Sequence, residues 1–285
     1  MEQYIDIDHG KLYVKILGQG EPILFIHGGP GLCHNYFLPY LEALSENNML
    51  IFYDQRGNGK SYFKLQDESD LSIEEFIEDI ERIRKALFLD KINIFAHSMG
   101  GFFAINYALK YGEKLDKLVL SNSIPLNFED FEKMNVIKKS KIHPVDFSRL
   151  LQLQQMKEFK EYDEDIFYEY ISILEKSSFI YEENCKNITS SLGFNKENYE
   201  NFLKINVKVI SEYMYNIKLK SFKLKNIKSK TLLLYGIQDF IPYSSFEYLK
   251  NNISNCNIEF MNKSGHYPFI EENGKTISIL SDFFQ

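Results

Sequence analysis

Residues 92–101 read Ile92-Asn93-Ile94-Phe95-Ala96-His97-Ser98-Met99-Gly100-Gly101. A short apolar run ends at a serine, small residues stand two places before and two places after it, and helical periodicity follows. A strand that turns sharply into a helix holds such a serine in strained geometry, with its Oγ exposed at the sheet edge. Bulky side chains at 96 and 100 would collide inside that turn. Alanine at 96 replaces the commoner glycine and still meets the requirement for a small residue. The helix start behind Ser98 also offers a positive dipole end to developing negative charge. Taken alone, the same stretch suits an ordinary helix N-cap serine, so its meaning depends on the rest of the chain.

Outward from this turn, short apolar runs alternate with helical patterns. Strands are predicted at 12–17, 23–27, 49–54, 92–97, 118–121, 231–236 and 257–262. Several are almost continuously apolar, as strands covered by helices on both faces are. Helices are predicted at about 35–46, 73–88, 101–111, 244–251 and 272–283. Ser72-Ile73-Glu74-Glu75 has the form of a capping box at the start of the second. The alternation predicts an α/β fold with a mostly parallel central sheet and crossover helices. Between about 124 and 228 the strand rhythm stops, and Tyr, Phe, Glu and Lys recur at helical spacing, as at Phe167, Tyr170, Ile171 and Leu174. We therefore expect a core formed by 1–122 and 229–285, with 123–228 inserted between two strands as a helical cap over the ligand-binding edge.

Chemistry enters with the loops. After the second predicted strand comes His27-Gly28-Gly29-Pro30-Gly31, a loop whose backbone can approach a ligand closely. Where a nucleophile sits on an elbow of this kind, a loop N–H pairs with that of the residue after the nucleophile. Gly29 and Met99 are accordingly the expected oxyanion donors. Beyond the insertion, Leu232-Leu233-Leu234-Tyr235-Gly236 runs through a turn to Asp239, and Lys263-Ser264-Gly265-His266 follows the last predicted strand. His266 is placed to take and return the Ser98 proton, and Asp239 to fix the imidazole tautomer. The alternative acid position, after strand 118–121, carries Asn122 and Ser123 and no carboxylate. Of the other histidines, His9 reads as a turn residue, His27 and His97 as supports for the two loops, His34 as a candidate for the pocket and His143 as part of the cap. None shows metal-ligand spacing, and neither a metal nor a cofactor is expected.

Bulk properties narrow the field. The 285 residues carry a formal net charge of −7 without a basic block, and the Lys-rich stretch at 218–230 is balanced elsewhere. Nucleic acid and anionic membrane are therefore not expected partners. The first six residues lack a signal-peptide pattern, and no run approaches a membrane span. Cys33, Cys185 and Cys256 are odd in number and far apart, which supports neither a disulfide framework nor a zinc site. A cytoplasmic protein is expected, with a small molecule or short peptide as its substrate; its oligomeric state is not legible.

The pairing of His27-Gly28-Gly29-Pro30-Gly31 with Asp54-Gln55-Arg56-Gly57-Asn58-Gly59-Lys60-Ser61 resembles the signature of the proline iminopeptidase branch of the α/β-hydrolases. The resemblance spans 1–122 and 229–285 and weakens in the cap. It implies an α/β-hydrolase fold, a cofactor-free Ser-His-Asp mechanism through an acyl-enzyme, and release of N-terminal proline or a small apolar residue from short peptides. It further implies cap carboxylates that hold the substrate ammonium, for which Glu182, Glu183 and Glu212 are the candidates. The elbow Ala96-His97-Ser98-Met99-Gly100 is more similar to those of esterases, lactonases and C–C-bond hydrolases of the same superfamily. A carboxylesterase or lactonase is thus the alternative, and a non-catalytic ligand-binding protein on the same scaffold is the remote one.

Overall fold

The computed structural model describes residues 1–29, 31–64, 66–189, 191 and 196–285, so Pro30 of the glycine loop lies outside the described residues. Strand β6 (Ile92–His97) shows why the sheet is buried on both sides. Ile92, Ile94 and Ala96 enter one apolar cluster and Phe95 the other, because successive side chains of a strand point to opposite faces. The same division places Leu24 and Ile26 of β3 (Glu21–Ile26) on the first side and Ile23 and Phe25 on the second.

Among the described residues the sheet has nine strands. The others are β1 (Glu2–Ile7), β2 (Gly10–Leu17), β4 (Asn48–Tyr53), β5 (Tyr62–Phe63), β7 (Leu115–Ser121), β8 (Lys230–Gly236) and β9 (Cys256–Met261). Their order is β1-β2-β4-β3-β6-β7-β8-β9, with β5 paired to β2. From β3 to β9 the pairings are parallel, while β1, β2 and β5 form an antiparallel edge. The chain leaves β3 toward β4 on one side and β6 toward β7 on the other, and β3 and β6 are neighbours. Ligands of open α/β sheets bind at such a switch point, beyond the carboxyl ends of the strands. The glycine loop and Ser98 both follow strands that meet there.

The helices are α1 (Ile73–Ala86), α2 (Met99–Lys110), α3 (Phe128–Lys141), α4 (Pro144–Gln155), α5 (Lys157–Lys160), α6 (Glu164–Lys176), α7 (Cys185–Thr189), α8 (Lys196–Leu219), α9 (Tyr243–Asn252), α10 (Pro268–Glu271) and α11 (Asn273–Phe284). Between β7 and β8 lie α3 to α8, and a small apolar cluster of Leu150, Leu153 and Ile173 forms within this stretch. Ser72 caps α1 by accepting from Glu75 N–H.

Two local expectations change. The helix predicted at 35–46 is two 3₁₀ turns, His34–Phe37 and Glu42–Glu46. Proline supplies no N–H and pushes the preceding residue out of the helical region; Leu38, before Pro39, is extended with ψ 140°. Strands β1 and β5 are additions, short edge strands that are half exposed and carry little continuous apolar pattern. No described helix is long and apolar enough to cross a membrane, and among the described residues no two cysteines form a disulfide.

The segment 54–61, which carries half of the resemblance, acts as a brace. Arg56 is buried and meets both carboxylate oxygens of Asp79 at 2.7 Å, with a further bond to the Asp70 carbonyl at 2.6 Å. Asp54 accepts from the His34 and Lys60 backbones, and Ser61 Oγ ties its carbonyl back. From this brace Asn58 Oδ1 accepts from Gly31 N–H at 3.0 Å, and Gln55 Nε2 donates to the His27 carbonyl at 2.7 Å. The glycine loop is therefore held from below at both of its ends.

Candidate active site

Ser98 stands at the N-cap of α2 with φ 54° and ψ −122°, a conformation that side chains rarely adopt. Its side chain makes no cap hydrogen bond, so the ordinary N-cap reading does not explain why a serine is there. Close packing imposes the strain. A Cβ on Gly100 would lie 2.5 Å from the Ile26 carbonyl oxygen and 2.6 Å from that of His27, so α2 starts directly against the end of β3. A Cβ on Gly28 would meet Ser98 Cβ at 3.0 Å. The two loops thus touch through glycine.

His266 follows β9, and its Nδ1 lies 3.0 Å from each carboxylate oxygen of Asp239, which follows β8. Both side chains are buried. With Nδ1 engaged, Nε2 is the ring nitrogen left to face the cleft that His266 and Ser98 both line. Asn122 is the unexpected neighbour. Read from sequence as a position without a carboxylate, it donates from Nδ2 to Asp239 Oδ2 at 2.6 Å and to the Gly265 carbonyl at 3.1 Å. It does so from a left-handed backbone, φ 46°.

A second buried relay joins the loops. The His266 carbonyl can only accept, so His97 Nε2, 2.9 Å away, carries the ring proton. His97 Nδ1 is then the acceptor for the Tyr36 hydroxyl at 2.9 Å, and Tyr36 in turn accepts from Gly28 N–H at 2.6 Å. Burial holds His97 neutral, well below its ordinary pKa, and pushes the Tyr36 hydroxyl well above its own. Of the described N–H groups in the glycine loop, that of Gly28 is taken by Tyr36 and that of Gly31 by Asn58. Gly29, at φ 114°, lines the cleft. Met99 is the first residue of α2, where N–H groups lack helical partners.

His27 is buried too, and its pKa is pushed down to about 4 by burial against the opposing field of Asp54. An unfolded histidine binds its proton near pH 6.5. The unfolded chain therefore binds more protons than the folded one below that value, and stability falls as pH drops from about 6.5 toward 4. Glu271, whose carboxyl burial raises, works weakly the other way. We expect His27 to remove about 2 kcal/mol of stability at pH 5, and His97 to act in the same direction. Urea unfolding at pH 7.5 and pH 5 measures this; equal stabilities would show that neither histidine is held neutral.

The cleft encloses about 370 Å³, within the range of small-molecule sites. Among the described residues it is lined by Gly29, Gly31, Leu32, Ser98, Phe240, His266 and Tyr267 and, from between β7 and β8, by Lys138 of α3, Tyr170, Ile171, Leu174 and Glu175 of α6, Ser178, and Asn206 and Ile210 of α8. Glu175 is the one carboxylate among the described lining residues, and Tyr267 donates to its Oε2 at 2.9 Å. Glu182, Glu183 and Glu212 do not line this cleft. The first two are exposed on a 3₁₀ turn, and Glu212 accepts from Ile73 N–H at the start of α1. His34 is likewise turned away, with Nδ1 2.7 Å from Asp54. Among the described residues of 123–228, Tyr170 is the tyrosine that lines the cleft; Tyr199 and Tyr213 are buried and do not line it, and Tyr181 and Tyr215 are exposed. The signal for Glu175 was present as a carboxylate four residues after Ile171, inside an otherwise apolar helical stripe.

Residues 21–151 match the family model described as alpha/beta hydrolase fold. The chain has the α/β-hydrolase fold. It is 27% identical to a proline iminopeptidase of Clostridioides difficile, covering 99% of this chain and 97% of the relative. With a proline iminopeptidase of Heyndrickxia coagulans it shares 28% identity, covering 99% and 98%. An esterase from Exiguobacterium antarcticum shares the fold at a TM-score of 0.71 and 21% identity, covering 99% of each chain. The protein is a serine hydrolase enzyme that resembles the proline iminopeptidases.

Proposed function

We propose that this serine hydrolase works through Ser98, His266 and Asp239, and that it is an aminopeptidase releasing N-terminal proline or a small apolar residue from short peptides. In this reading 1–122 and 229–285 form the catalytic core and 123–228 the cap. Ser98 Oγ attacks the scissile carbonyl carbon while its proton passes to His266 Nε2. The carbonyl oxygen becomes an oxyanion that accepts from the N–H groups of Gly29 and Met99. Collapse of the tetrahedral species breaks the C–N bond, and the amine leaves with the proton from His266. Water then cleaves the acyl-enzyme by the same steps in reverse order.

The observation that carries the peptide reading is Glu175. A single carboxylate, anchored by Tyr267 and set among Tyr170, Ile171, Leu174 and Ile210, offers one charge to an ammonium and apolar walls to a ring or small side chain. The test is hydrolysis of prolyl-arylamide by the wild-type protein and by Glu175→Gln. We expect kcat/KM for the prolyl substrate to fall by about 10–100-fold, the worth of one hydrogen bond to a charged group, and that for an acyl ester without an amino group to change little. Rapid ester turnover with no prolyl-arylamide cleavage above a Ser98→Ala control would overturn the peptidase reading. One observation favours the carboxylesterase or lactonase alternative in that event: the cleft holds one carboxylate among its described lining residues rather than a pair.

A further inference from the structure

Among the described residues that line the cleft with Glu175, Lys138 of α3 is the one lysine or arginine. Its neighbours along the helix are engaged: Lys133 pairs with Glu129 and Asp130, and Lys141 donates to the Gln238 carbonyl. Among the described residues Lys138 is paired with no carboxylate; its ammonium lies over the Phe240 ring, 4.6 Å from the centroid. The same ring packs against the His266 imidazole at 4.5 Å between centroids. Glu175, by contrast, is tied to Tyr267. The two opposite charges of the cleft are therefore held by different neighbours, and one aromatic ring, that of Phe240, stands between Lys138 and the base.

That position has a chemical meaning, which rests on the aminopeptidase reading above. His266 delivers its proton to the departing nitrogen, so the leaving residue lies beside the imidazole and next to Phe240. In a dipeptide the leaving residue carries a free carboxylate one residue beyond that nitrogen. The hydrogen bond to His266, the residue itself and an ion pair each span about 3 Å, which matches an ammonium one aromatic ring away. In a longer peptide a neutral amide would stand there, and the ammonium would lose its partner in a partly desolvated site. We propose that Lys138 binds the free α-carboxylate of the leaving residue, which makes zwitterionic dipeptides, rather than longer peptides, the preferred substrates.

The experiment compares prolyl-alanine with prolyl-alaninamide in the wild-type protein and in Lys138→Met, which keeps the apolar stem. The wild-type protein should prefer the free carboxylate by about tenfold in kcat/KM. In Lys138→Met the preference should collapse to near unity, through a higher KM for prolyl-alanine and little change for the amide. Lys138→Arg should retain it, and fluorophosphonate labelling of Ser98 at the wild-type rate would show the nucleophile intact. An unchanged ratio in Lys138→Met, with both prolyl bonds cleaved, overturns this inference and leaves the aminopeptidase reading standing. Cleavage of neither substrate above the Ser98→Ala control overturns both.

Discussion

Replacing Ser98 with alanine should lower turnover of any substrate by about 10⁴–10⁶-fold, abolish fluorophosphonate labelling and leave the unfolding transition nearly unmoved. The first two effects follow, in the proposed mechanism, from removal of the attacking oxygen. The third separates chemistry from architecture. A serine acting as an N-cap costs about 1 kcal/mol when replaced by alanine, but the Ser98 side chain makes no such bond. Alanine also keeps the φ 54° strain, since it has the same Cβ. Glycine does not. Ser98→Gly should be equally inactive yet more stable by about 1–2 kcal/mol, because relief of one strained residue is worth that much. Thermal unfolding of the three proteins, alongside labelling, decides the matter. Retained labelling in Ser98→Ala would remove Ser98 as nucleophile, and a lower Tm for Ser98→Gly would show that the backbone is not strained.

Asp239→Asn should cost about 10⁴-fold in kcat, for a reason specific to this neighbourhood. Asn122 Nδ2 donates to Asp239 Oδ2, and His266 Nδ1 faces the same carboxylate. An asparagine at 239 has one acceptor and one donor group. If its oxygen serves Asn122, its amide nitrogen faces His266 Nδ1 and forces that nitrogen to be the acceptor. The ring proton then sits on Nε2, and the base can no longer take a proton from Ser98. The reverse flip sets two NH₂ groups against each other. Either arrangement leaves the fold close to intact, so the measurement is kcat on an acyl substrate together with the labelling rate. Near-wild-type values of both would mean that Asp239 does not set the tautomer of His266.

These two sites were legible in the chain for different reasons. The elbow was visible because its demands are local: a buried strand, small residues at 96 and 100, and a helix after them. The glycine loop and the order Ser98, Asp239, His266 were readable because each follows a strand that the apolar pattern announces. Asn122 was read only for what it lacks. Its use became apparent once β7 and β8 lay side by side and brought its amide to Asp239. Glu182, Glu183 and Glu212 belong to a stretch rich in acids, where local pattern does not single out a carboxylate; the first two are exposed and Glu212 accepts at the start of α1.

The sequence by itself determined the strand-and-helix rhythm, the elbow at Ser98 and the loops that flank it, since steric demands and apolar periodicity act over a few neighbouring residues. Which face of α6 meets the cleft, and hence the choice of Glu175, depends on the rotation and docking of that helix over the sheet. Lys138 likewise reaches the cleft through the way α3 packs beside Phe240. Those placements are set by contacts between residues far apart in the chain, to which a local pattern is blind, and so only the tertiary structure decided them.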